Sequence, residues 1–301
     1  MKHIKVYIVT WKRNDVLDDL LHDLFERTTF KDYDNCEVNI INNHSSLEIN
    51  DKFKDKVKIH HNMCRVDWST GNLSADFNFA LVHGFVDLKN PDAELVVTMQ
   101  NDAVLDKNWA DCIVEQMKKY EFLVGYLGDN VVTYRPEHVI KTGLWDENYA
   151  SVYHKESDYY LRSLIYNKEN CSINDLLHRR LHNYNPDLTI DLIGERGFTI
   201  TANGSSRWME SEQHQLIRDE QNYTKPFVDY YWKWKWEGTH SLPMVKGDWN
   251  QGGWLINWPD SLLTKLPTAP KVPQFVKYPF FEKDVEDLVG KGFITDGKMT
   301  R

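Results

Sequence analysis

The chain has 301 residues, 41% hydrophobic and 27% charged, with a formal net charge of −9. That balance fits one large or two modest packed domains, and its acidic sign argues against a general nucleic-acid binder, whose footprint is basic. No stretch approaches 18 uncharged apolar residues, so no membrane span is expected. No signal-peptide pattern precedes the first strand, so a cytoplasmic location is the expectation. Cys36, Cys64, Cys112 and Cys171 are far apart and show no CxxC spacing. Buried free thiols are expected rather than disulfides or a zinc site.

The first half alternates strand and helix patterns. Ile4 to Thr10 is a short β run, and Asn14 or Asp15 is placed to cap a helix carrying Leu17, Leu20, Leu21 and Leu24 at helical spacing. Glu37 to Ile41 is the second strand, ending in Asn42, Asn43, His44, Ser45 and Ser46, and Lys56 to His60 is a weaker third. Ala75 to Leu88 fits a helix with Phe77, Ala80, Leu81 and Phe85 inward, which reads Phe77 as helix core. Leu95 to Met99 is the fourth strand and Trp109 to Tyr120 a helix. Strands separated by helical patterns imply βαβ units and a mainly parallel sheet. Phe122 to Leu127 and Val131 to Tyr134 are strands, Glu156 to Tyr166 is a helix, Asn174 to Asn183 a basic helical patch, and Phe198 to Ala202 a late strand. Beyond about residue 210 the chain is rich in Trp, Tyr and Pro. Alternation in YYWKWKW predicts a strand with Trp232, Trp234 and Trp236 on one face.

The segment ELVVTMQNDAVLDKNW (Glu94 to Trp109) is the most pointed feature. An apolar strand stops abruptly at Gln100, Asn101 and Asp102. A carboxylate just past a buried strand is where an open α/β sheet presents groups to a ligand; Asn and Asp also simply turn chains. Three further stations accompany it: VTWKRN (Val9 to Asn14), INNHSS (Ile41 to Ser46) and GNLSADFNFAL (Gly71 to Leu81). In a parallel sheet the strand-end stations share one edge.

In order, these segments resemble those of inverting, family 2 glycosyltransferases of the GT-A fold. VTWKRN is similar to that family's P-T-Y-N-R-like turn, INNHSS to V-D-N-x-S, Gly71 to Ala80 to G-x-x-x-A-R-N-x-A, and Met99 to Trp109 to L-N-N-D-x-x-L-x-x-x-W. GLWDENY (Gly143 to Tyr149) and KESDYYLR (Lys155 to Arg162) are similar to G-x-F-D-E-x-F and E-D-x-D-L-x-L-R. The likeness spans about residues 4 to 165. It implies a GT-A (Rossmann-like), mainly parallel α/β sheet flanked by helices. It also implies a metal-assisted, inverting transfer from a nucleotide-sugar, UDP-linked, to a hydroxyl of a glycan acceptor.

Carried over residue by residue, Asp102 matches the metal-coordinating aspartate, with Mn²⁺ or Mg²⁺ as the hard cation that offsets diphosphate charge. Asn101 and Gln100 line the ribose and phosphates, and Gln100 replaces an acid or Asn of the family. Thr10, Arg13 and Asn43 match positions that cradle base and ribose. Asn78 keeps the family's Asn, while Phe77 replaces its Arg. Glu156 matches the general base. Asp158 falls at a second acid that positions the acceptor or a helix. As first-turn acids both also suit the positive end of a helix. Candidate cations for the leaving group are His178, Arg179, Arg180, His182 and Arg207.

The expected organisation is a catalytic domain over residues 1–210, with a nucleotide-sugar half to about 105 and an acceptor half from about 106. The Trp/Pro-rich residues 211–301 form an extension packed on it. Trp249, Trp254 and Trp258 suit stacking on a sugar acceptor. A retaining glycosyltransferase and a non-catalytic carbohydrate-binding protein are the alternatives. A dehydrogenase is excluded by the lack of GxGxxG after the first strand.

Overall fold

A computed structural model describes residues 3–28, 35–61, 73–105, 107–124, 130–149, 155–167, 171–172, 200–202, 226–227, 230–231, 234–235 and 285–293. In chain order these give β1 (His3–Thr10), α1 (Asn14–His22), a π-helical turn (Asp23–Arg27), β2 (Asn35–Asn42), α2 (Asp51–Lys54) and β3 (Val57–His61). There follow α3 (Leu73–Phe85), β4 (Leu95–Gln100), β5 (Ala103–Leu105), α4 (Trp109–Met117), β6 (Phe122–Val124), β7 (Val131–Tyr134) and α5 (Pro136–Thr142). The last are α6 (Lys155–Asn167), β8 (Cys171–Ser172), β9 (Ile200–Ala202) and α7 (Val285–Gly290).

The fold is α/β. Seven strands form one sheet in the order β3-β2-β1-β4-β7-β6-β8. The run β3-β2-β1-β4 is parallel throughout, as is β6 with β8. β7 runs antiparallel to both of its neighbours. A second, two-stranded sheet pairs β5 with β9.

Both faces of the central strands are covered, which is why their sequences are nearly continuous in apolar residues. Ile4, Val6 and Ile8 of β1 share one core with Leu17, Leu20 and Leu21 of α1 and with Trp109 and Ile113 of α4. On the other face α3 presses on the sheet at Gly84. A Cβ there would lie 2.5 Å from Val96 Cγ2, so only glycine permits the approach. Cys36 and Cys112 are free thiols. Burial, then the Glu37 charge, pushes the Cys36 thiol up to about 12.

Two local expectations change. Neither Asn14 nor Asp15 caps α1: its N-cap is Arg13, with no side-chain cap bond. Asn14 instead donates to the Ser46 carbonyl at 2.7 Å, and Asp15 grips Arg13. Of the predicted strand Phe122 to Leu127, β6 covers Phe122–Val124, and residues 125–127 lie outside the described residues. The predicted YYWKWKW strand is replaced by helical backbone at residues 230–231 and 234–235. Tyr231 and Lys235 are buried while Tyr230 and Trp234 are exposed. That burial repeats every four residues, as a helix requires, and tertiary contacts of Tyr231 and Lys235 outweigh the strand propensity of the aromatics. The basic patch and Arg207, and Trp249, Trp254 and Trp258, lie outside the described residues.

Among the described residues no helix is long and apolar enough to cross a membrane. Residues 285–293 close against the loop after α3. Leu288 and Phe293 are buried, and Leu88 N–H donates to the Lys291 carbonyl at 3.2 Å.

Candidate functional site

From β1 the chain goes to β2 and β3 on one side, then returns to β4 on the other. That reversal is a topological switch point, and a crevice opens at the carboxyl ends of the two diverging strands. Register places Thr10 beside Asn42 and Val9 beside Gln100 there. The strand-end stations therefore meet by topology.

The crevice is laced by hydrogen bonds, most of them between amides and hydroxyls. Asn43 N–H donates to the Thr10 carbonyl (3.0 Å) and Asn101 N–H to the Val9 carbonyl (3.1 Å). Asn101 Nδ2 donates to Thr10 Oγ1 (3.1 Å) and to the Lys12 carbonyl (3.4 Å). Asn43 Nδ2 donates to the buried Asp76 carboxylate (3.0 Å), which brings the start of α3 to the same place. Lys12 and Arg13 are both left-handed, with φ of 55° and 53°. Two successive non-glycine residues in that region cost on the order of 1–2 kcal/mol each, strain that concentrates at functional sites.

The charges stand at the rim. Arg13 forks Asp15 through Nε and Nη2, each at 2.9 Å. That hydrogen bond raises the guanidinium pKa; burial opposes it, and the charges of Asp15 and Asp102 add to the rise. Asp102 is 5% exposed and accepts from Asn130 Nδ2 at 3.1 Å. Asn130 also accepts the Gln100 N–H (2.9 Å), so one residue fixes both ends of the QND segment. Sequence reasoning missed a support behind it. Asp23, in the π-helical turn, accepts the Leu105 N–H at 3.2 Å, three residues past Asp102. Single π turns of this kind recur at functional sites.

Glu156 stands in the first turn of α6, nearly buried, in an ion pair with Lys155. The Lys155 ammonium lies 5.9 Å from the centre of the Phe77 ring. Phe77 is fully buried, 5.1 Å from the Trp145 ring. α3 thus connects the two sides, with Asp76 at the switch point and Phe77 beside the start of α6. Asn78 has a different setting from the nucleotide contact expected. Its Nδ2 donates to the Trp145 carbonyl (2.9 Å) and to Glu147 Oε1 (2.7 Å), and its Oδ1 accepts the Trp145 N–H (2.7 Å). It clamps the 143–149 loop onto α3.

Asp158 also departs from the expectation of a catalytic acid. It is wholly buried, with Oδ2 accepting from Arg162 Nε (2.9 Å) and Oδ1 lying 2.7 Å from Lys235 Nζ. Tyr149 donates to Oδ1 at 3.4 Å. Burial raises its pKa, but the Lys235 and Arg162 charges outweigh burial and hold it below the usual carboxylate value. A carboxylate held ionised by two cations is a poor proton carrier. Its geometry is that of a structural anchor, the helix-positioning side of the sequence expectation.

Among the described residues no three His, Cys, Asp or Glu side chains cluster to hold a metal. Asp102 is one hard carboxylate beside neutral amide oxygens. That donor set fits Mg²⁺ or Mn²⁺ held chiefly by substrate phosphates and water, not by an all-protein cage.

No protein-family model and no curated protein matches the chain. Solved structures do. TarS of S. aureus matches at 16% identity over 54% of this chain and 33% of that one, with a TM-score of 0.40. The matched region thus spans about a third of that protein. Its 1–349 fragment matches at 12% identity over 83% of this chain and 77% of that one, TM-score 0.43. The mannosyltransferase PcManGT of Pyrobaculum calidifontis, in complex with GDP-Man and Mn²⁺, matches at 12% identity over 56% and 53%, TM-score 0.38. Glucosyl-3-phosphoglycerate synthase of Mycobacterium tuberculosis, with Mn²⁺, UDP and its product, matches at 7% over 56% and 68%, TM-score 0.41.

Proposed function

We propose that the chain is a nucleotide-sugar glycosyltransferase that moves a hexosyl or pentosyl group from a UDP-linked donor to a glycan hydroxyl. One observation carries the reading. Motifs ordered along the chain as in family 2 enzymes converge on a single switch-point crevice through Thr10, Asn43, Asp76 and Asn101. Convergence at that crevice is what binding a nucleotide requires of an open α/β sheet.

In this reading Thr10, Arg13 and Asn43 cradle the base and ribose, and Asn101 and Gln100 line the ribose and phosphates. Asp102 is the carboxylate that would hold a divalent cation there. When bound, that cation offsets the charge that develops on the leaving group. Glu156 takes the acceptor hydroxyl proton as the acceptor oxygen bonds to the anomeric carbon and the bond from that carbon to the diphosphate breaks, with inversion. Asn78 and Asp158 hold the acceptor half in shape and stand outside the reacting set. Residues 1–210 are the catalytic unit, and part of the extension is built into its acceptor side.

A donor panel tests this. Nucleotide release is measured with UDP- and GDP-sugars, with and without Mn²⁺. Release from a UDP-sugar, dependent on the metal, is expected; no binding or hydrolysis of any nucleotide sugar would refute the reading. The anomeric configuration of the product by NMR separates inversion from retention, and Glu156→Gln turning over near the wild-type rate would remove Glu156 as base.

A further inference from the structure

The acids that bracket Glu156 belong to a buried lock whose key comes from far along the chain. Asp146 lies in the loop before α6 and Asp158 two residues after Glu156. Lys235 Nζ reaches both, at 2.5 Å and 2.7 Å, and all three side chains are fully buried. Tyr231, one helical turn earlier, donates to the same Asp146 oxygen at 2.8 Å. Its ring packs 5.2 Å from Tyr149. Arg162 holds the other Asp158 oxygen and donates through Nη1 to the Thr142 carbonyl at 2.7 Å, at the end of α5. Two carboxylates and two cations thus balance in a site without solvent. They join α5, the 143–149 loop, α6 and the 226–235 region.

Balance matters because a buried charge stripped of its partner is strongly destabilising. Lys235 is the member that belongs to no local element: 89 residues separate it from Asp146. It also joins the two acids directly. Phe227, Tyr230 and Trp234 on the same stretch are exposed, while Tyr231 and Lys235 are buried against the lock.

We infer that Lys235 is a positioning residue for Glu156: by bridging Asp146 and Asp158 it fixes the first turn of α6, and the C-terminal region thereby completes the acceptor side of the site. The inference rests on the reading of Glu156 as general base. Lys235 touches no reacting atom in this arrangement; it acts through Asp158, half a turn from Glu156 on the same helix.

Lys235→Met in the full chain tests it by two independent readouts. Hydrogen exchange over residues 155–163 should speed up by about tenfold or more, with β1 and β4 unchanged. With a donor that the wild type turns over, kcat for nucleotide release should fall by about tenfold or more, while the Kd for UDP by calorimetry stays within about twofold. If Lys235→Met does not fold, Lys235→Met with Asp146→Asn removes one acid with the base and leaves the Asp158–Arg162 pair balanced; the same two changes are expected. Unchanged exchange over 155–163 overturns the lock whatever the activity. Faster exchange with an unchanged kcat overturns the positioning role. If the wild type releases nucleotide from no donor, the transferase reading and the positioning role fall together, and exchange alone decides the lock.

Discussion

The switch-point crevice and the first turn of α6 hold their polar groups in opposite ways. At the crevice Thr10, Asn43 and Asn101 are linked mainly by amides and hydroxyls, with one buried carboxylate, Asp76, accepting from Asn43 and with Arg13 and Asp102 at the edge. Around α6, Asp146, Asp158, Arg162 and Lys235 are linked by full charges and are wholly buried. Neutral bonds contribute about 1 kcal/mol each and leave the rim charges to meet a ligand. A buried charge set is all or none, because removing one member strands the others. The contrast separates a surface suited to binding from a framework suited to holding a helix.

The sharpest way to break that contrast is Asp158→Ala. It strands Arg162 in a dry site, leaving Lys235 paired with Asp146 alone, and should cost about 3–5 kcal/mol in chemical denaturation. A loss below about 1 kcal/mol would mean that solvent reaches the lock. The pH dependence follows from the sign of the shift. The folded pKa of Asp158 lies below its ordinary value of 3.8. Its contribution is therefore complete above that value and disappears as pH falls through the folded pKa. Wild-type stability should decline below about pH 4, and Asp158→Asn should lack that part of the slope. Equal slopes in the two proteins would remove Asp158 from the acid transition.

Asp102→Asn probes the other side. Stability should change by less than about 1 kcal/mol, since Asn130 can still bond to the amide. Nucleotide release should fall by about a hundredfold and lose its response to Mn²⁺. An unchanged metal titration would place the cation elsewhere.

The legibility of the two regions differs for a physical reason. Thr10, Asn43 and Asn101 stood out because each ends an apolar run, a signal contained in a few residues. Phe77, expected in the helix core, is buried there. The pair Asp158–Arg162 is likewise local, at i and i+4. Lys235 was invisible: its partners lie 77 and 89 residues away, and aromatic alternation around it pointed to a strand. The contacts of Asn78 were invisible for the same reason, since its partners at 145 and 147 are distant in sequence. Asp23 carries no signal in its local sequence, because what matters is the π turn that aims it at Leu105.

Asp23→Ala tests that support and should have a smaller effect than Asp158→Ala. One backbone N–H is left buried without its acceptor, and Arg27, largely exposed, is freed to water. A loss of about 1–2 kcal/mol is expected in thermal unfolding. Because β5 directly follows Asp102, metal affinity should weaken in parallel; intact metal affinity would confine Asp23 to stability.

The smallest effect isolates backbone from side chain at the crevice. Lys12 holds φ at 55°, and its ammonium lies 4.5 Å from the centre of the Trp11 ring. Substitution by Gly or by Ala loses that cation–π contact equally. Only Ala keeps a Cβ that crowds the left-handed conformation. Lys12→Gly should therefore be more stable than Lys12→Ala by about 1 kcal/mol in denaturant titrations, the reverse of their usual order. Equal stability, or Ala ahead, would show that the turn after β1 carries no strain. The crevice would then differ from the charge lock in its hydrogen bonds alone.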